Sequence, residues 1–232
     1  MNKFHVPPGN GEGDALSSKG LQRRQFLGKM AGGAAVAGLI ASCKDQDKNE
    51  GGGINLGTGD IGILNYAYAL EQLEAAFYKQ VTDMPFTGIT ASETQLLADI
   101  RDHEIAHREF FKTALGSKAI VALEVNFASI DFTSRASVLA TAKAFEDLGV
   151  QAYNGAGKLI TDPNYLLLAG KIVSVEARHA AYIRDLISNG SFADNTVIDA
   201  NGLDKALTPK QVLSTASQFL KSKLNANNLP TS

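Results

Sequence analysis

Between residues 60 and 190 the apolar positions return every three or four residues, the period of helices with one buried face. Leu64, Ala67, Leu70, Ala75 and Tyr78 share a stripe that predicts a first helix from Ile61 to about Val81, with Asp60 as its N-cap. Thr90-Ala-Ser-Glu93 is a capping box, in which each end of the motif satisfies a free backbone N–H, and it opens a second helix. That helix carries Leu96, Leu97, Ile100, Phe111 and Leu115 and stops at Gly116. Residues 117–132 lose the period, and their length suits the long crossover of some four-helix bundles. A third helix is predicted from Thr133 or Ser134 to between Gly155 and Gly157, and a fourth from Asp162-Pro163 to about Ser188. Thr208-Pro209 opens a last helix of about 15 residues. The pattern predicts an all-α bundle over residues 59–190, followed by a C-terminal extension, 191–232, with one short helix.

Several stripe positions are polar. Glu104 and His107 lie three apart on the face of Ile100 and Phe111; Glu176 and His179 lie three apart on the face of Ile172 and Ile183. Residues three apart on a helix point the same way, so each pair can grip one ion. A buried ionised glutamate without a partner is very costly, and a metal ion is a suitable partner. Glu71 and Glu146 add one carboxylate from each remaining helix, and each is followed seven residues later by a tyrosine, Tyr78 or Tyr153. The order of glutamate, then Glu-x-x-His, recurs with separations of 33 and 30 residues, a two-fold internal repeat in which each helix pair supplies half a site. Glu74 shares the face of Glu71 and stands as an alternative or extra ligand, although the repeat places Gly149 opposite it. Tyr78 and Tyr153 read as core residues with bonded hydroxyls. His103 is rotated off the stripe and reads as a surface residue, and Arg101 and Arg178 as part of a solvated face.

This constellation resembles the ferritin-like superfamily, whose members set a glutamate from each of two helices and a Glu-x-x-His from each of the other two around a di-iron or di-manganese centre. The stretch from Leu64 to Tyr78 is most similar to bacterial relatives of plant desiccation-related proteins. The resemblance implies a ferritin-like four-helix bundle holding two iron or manganese ions on Glu71, Glu104, His107, Glu146, Glu176 and His179. It also implies redox chemistry with dioxygen or peroxide, such as Fe(II) oxidation or peroxide disproportionation. Four carboxylates and two divalent ions would leave the site neutral, and oxygen ligands with one imidazole per ion suit iron or manganese better than zinc or copper(I). Sequestration of metal without turnover, and a metal-free scaffold, remain as alternatives.

The N-terminal segment carries a different message. Arg23-Arg24, followed by Phe26-Leu27 and the weakly apolar stretch from Ala31 to Ser42, resembles a twin-arginine export signal. Leu39-Ile40-Ala41-Ser42-Cys43 resembles a lipobox, with Cys43 the lipidated residue of the processed chain. Residues 1–42 therefore read as a signal peptide and 43–58 as a flexible tether, placing the bundle across the cytoplasmic membrane on a lipid anchor. His5 lies in the removed segment. With one cysteine the chain forms no internal disulfide. Residues 1–42 hold five basic and two acidic residues of the chain's 22 and 24, so removing them leaves 17 basic against 22 acidic. That excess, with no basic stripe, argues against a nucleic-acid partner. A homodimer is compatible with this reading, whereas a closed storage cage is disfavoured by the anchor and the long C-terminal tail.

Overall fold

The computed structural model describes residues 52–231, and the statements below concern these. The export signal, Cys43 and the first part of the tether lie outside them. Four long helices, α1 (Gly59–Asp83), α2 (Ala91–Leu115), α3 (Arg135–Gly157) and α4 (Pro163–Ile187), are followed by the short α5 (Pro209–Ala216). The chain forms an all-α bundle. Its closest helix approaches lie within the pairs α1/α2 and α3/α4, with a lesser one between α1 and α3.

Local chemistry sets the boundaries. The Thr90–Glu93 capping box opens α2, and Arg135 ties its Glu93 carboxylate to the start of α3 at 2.6 Å. Ser134 caps α3; Asp162 caps α4, with Pro163 in its first turn, where a missing N–H is harmless. Asp60 departs from expectation. Thr58 occupies the N-cap position of α1, and Asp60 sits in the first turn, accepting from the Thr161 and Asp162 backbone N–H groups and the Thr161 hydroxyl. It fastens the α3–α4 connection to the start of α1. The last helix is also shorter than its pattern suggests: α5 has eight residues, and Ser217–Phe219 continue it as a 3-10 turn.

The crossover between α2 and α3 is held by side chains of α1. Asn65, buried, donates to the Leu56 and Lys118 carbonyls and accepts from Ile120 N–H, while Gln72 accepts from Leu123 N–H. Phe127 and Phe132 of the crossover pack on Phe77 of α1, which also meets Phe145 of α3.

The segment that reads as a tether is structured in its last part. Ile54–Asn55 (β1) pairs in parallel with Leu224–Asn225 (β2), and Leu56 is fully buried. The reason lies in the C-terminal extension, which returns along the bundle and supplies the partner strand. Leu207 of that extension donates its N–H to the Gln151 carbonyl, and its own carbonyl crosses α3 at Gly155, where a Cβ would stand 1.7 Å from the oxygen. Only glycine admits that approach. Arg184 of α4, 3% exposed, makes a bidentate pair with Asp147 and reaches Asp194 and Thr196, fixing the start of the extension.

Candidate metal centre

Midway along the bundle each long helix turns acidic side chains inward. Glu71 of α1, Glu104 of α2, Glu146 of α3 and Glu176 of α4 are all 0% exposed. His107 and His179, one turn on from Glu104 and Glu176, join them with side chains 13% and 5% exposed. The six residues separate into two overlapping groups, Glu71, Glu104, His107 and Glu176 in one, Glu104, Glu146, Glu176 and His179 in the other.

The atoms show how the overlap is resolved. His107 Nδ1 lies 3.4 Å from Glu71 Oε2, 3.7 Å from Glu104 Oε2 and 2.9 Å from Glu176 Oε1. His179 Nδ1 lies 2.9 Å from Glu104 Oε1, 3.4 Å from Glu146 Oε2 and 3.5 Å from Glu176 Oε2. Glu104 and Glu176 thus give one oxygen to each group, while Glu71 with His107 and Glu146 with His179 complete the two ends. Donors about 2.0–2.2 Å from one small divalent ion stand roughly 3.0–3.5 Å from each other, and the observed separations fall around that range.

All eight of these atoms are buried without a hydrogen-bond partner. Some carboxylate–imidazole separations are short, yet none is aligned as a hydrogen bond, as expected of donors turned toward a shared ion. Buried polar atoms are nearly always hydrogen-bonded, so eight that meet one another only as unaligned carboxylate–imidazole pairs make a set that metal cations would satisfy. The remaining oxygens of the end carboxylates are already used: the Tyr153 hydroxyl donates to Glu71 Oε1 and the Tyr78 hydroxyl to Glu146 Oε1. Burial and the adjacent carboxylates push both phenols well above their usual range, so they stay protonated donors. Each tyrosine leaves its glutamate one free oxygen. The donor set fits divalent metal ions.

Without cations the cluster must hold protons. Burial raises the Glu71 carboxyl well above its ordinary range, with Glu176 adding to the shift, and burial is the main cause that lifts Glu146 to about 8. Burial opposes the imidazolium forms of His107 and His179, but the surrounding carboxylates outweigh it and raise both to about 12. Burial also pushes Glu104 up, and contacts with the two imidazoles more than reverse this, bringing it down to about 2.

Residues 59–189 match the ferritin-like domain. The chain belongs to the ferritin-like domain family. No curated protein matches it. Within the ferritin-like bundle the internal repeat is visible as geometry, since the α1/α2 and α3/α4 pairs supply equivalent halves of the cluster. It is broken at two places. Glu74 lies outside both ligand groups, buried, with its Oε1 against Gly149 of α3, where a Cβ would come within 3.2 Å. Burial raises its carboxyl well above the ordinary range, reinforced by Glu104. The second break is His103, which the sequence pattern places on the surface. It is exposed, but its Nδ1 lies 2.9 Å from Nε2 of His179. Its partner is on α4, across a helix boundary that periodicity along α2 cannot register; its place four residues before His107 is the one signal that points to it.

Proposed function

We propose that this ferritin-like protein holds two iron or manganese ions between its four helices and uses them in two-electron redox chemistry on dioxygen or peroxide. The observation that carries the reading is the set of eight buried donor atoms without aligned hydrogen bonds, divided evenly between two ligand groups that share two carboxylates. Glu71, Glu104, His107 and Glu176 would hold one ion; Glu146, Glu104, Glu176 and His179 the other. When bound, two adjacent Fe(II) ions supply the two electrons that, with two protons, convert dioxygen to hydrogen peroxide or peroxide to two waters. The protein residues keep the charge balanced, exclude bulk water, and steady the end carboxylates through Tyr78 and Tyr153.

Beside the cluster, Tyr153 also lines an apolar pocket with Tyr66, Leu70 and Phe111. In this reading the twin-arginine signal exports the protein, and lipidated Cys43 tethers it to the membrane, where it serves metal handling or stress protection. None of the described helices is long and apolar enough to cross a membrane itself.

The test is anaerobic loading with two equivalents of Fe(II), followed by exposure to dioxygen or peroxide in separate stopped-flow experiments. Oxidation much faster than in buffer alone, with either oxidant, supports the reading. Tight Fe(II) binding with no acceleration by either would assign the protein to sequestration instead.

A further inference from the structure

The two halves of the cluster differ behind their imidazoles. His179 turns Nδ1 toward Glu104, Glu146 and Glu176, and its Nε2 lies 2.9 Å from Nδ1 of His103. The two rings are nearly parallel, with 10° between their planes and 5.2 Å between centroids. With Nδ1 committed to an ion, a neutral imidazole carries its proton on Nε2, and this N–H donates to His103. His107 is the repeat equivalent of His179. The residue before Glu176 that corresponds to His103 is Val175, which has no side-chain acceptor. Among the described residues no side chain hydrogen-bonds Nε2 of His107, and its side chain is the more exposed of the two, 13% against 5%.

We propose that His103 is a positioning residue that locks the ring of His179, so that the Glu146/His179 end is the tighter metal position and the Glu71/His107 end the exchangeable one. This asymmetry rests on the di-metal centre proposed for these residues. A hydrogen bond to the non-ligating nitrogen fixes both tautomer and ring rotation and raises the ligand's basicity, and losing such a partner typically weakens metal binding by about 10–100-fold. The pseudo-symmetric ligand set alone would give two equal sites; the His103/Val175 difference makes filling sequential.

Co(II), whose visible absorption reports ligation, serves as the probe. The full protein, His103→Ala and His103→Asn are titrated anaerobically in competition with a chelator, and the ring N–H signals of Co(II)-bound histidines are recorded by NMR. His103 is exposed, so the substitutions leave the fold intact, and the amide oxygen introduced by His103→Asn can stand near the position of the imidazole Nδ1. The wild type should fill in two steps and show one slowly exchanging ring N–H. In His103→Ala the first step should weaken at least tenfold and that signal should vanish, and His103→Asn should restore both. Identical titrations and ring signals in wild type and His103→Ala would overturn the assignment while leaving the metal centre standing. No Co(II) binding by the wild type would remove the metal reading and this inference together.

Discussion

Metal uptake by this cluster should be a proton exchange of defined size. In the metal-free pocket, His107 and His179 remain imidazolium at neutral pH because the carboxylates around them raise both to about 12. Burial raises Glu71 well above its ordinary range and lifts Glu146 to about 8, so both carboxyls favour the protonated form. Two divalent ions need neutral imidazoles and ionised carboxylates, and their charge of +4 would replace the charge of four expelled protons. That balance keeps the buried pocket's charge unchanged, which its isolation from water demands. Release of up to about four protons for two ions follows, and the overall two-ion binding constant should fall by up to about 10⁴ between pH 7 and pH 6. The sign is fixed: all four groups are raised above their ordinary values, so lowering the pH adds protons that compete with the ions. Isothermal titration calorimetry with Mn(II) in buffers of different ionisation enthalpy counts the protons directly. Release of one proton or none, or affinity that does not change with pH, would refute the account of how the site stays neutral.

Other predictions concern parts of the molecule around the site. Glu74→Gln should keep about two ions per chain by elemental analysis, because Glu74 stands outside both ligand groups; a halved content would make it a ligand. Gly155→Ala should lower stability by about 1–3 kcal/mol or more in urea unfolding, since its Cβ would strike the Leu207 carbonyl, whereas Gly170→Ala meets nothing within 4 Å and should be neutral or stabilising. Arg184→Ala leaves Asp147 without its buried partner and frees the start of the C-terminal extension, so thermal unfolding should show a loss of about 3–5 kcal/mol with metal content unchanged.

Much of this architecture is legible along the chain because local chemistry dictates it. The Thr90–Glu93 box, Ser134, and Asp162-Pro163 place three helix starts within a residue or two. Two Glu-x-x-His pairs in apolar stripes, each preceded by an inward glutamate, bring the same six residues to the cluster that the structure brings together. What sequence could not supply depends on contacts between distant segments. Asp60 looks like a cap by position, but its oxygens are taken by Thr161 and Asp162, a hundred residues on. Gly-rich residues before α1 look like a tether, yet Leu224–Asn225 returns to pair with Ile54–Asn55. His103 points away from its own helix's stripe and toward His179 of another. The sharing of Glu104 and Glu176 between the two groups likewise needed coordinates.

The most direct test of the central claim is the metal-to-protein ratio of the chain produced in cells, measured beside a Glu104→Ala/Glu176→Ala double variant that removes both carboxylates shared by the two groups. The account predicts about two iron or manganese ions per wild-type chain and none in the variant. A wild-type chain without metal, even after anaerobic addition of Fe(II) and Mn(II), or a variant that keeps its ions, would contradict it.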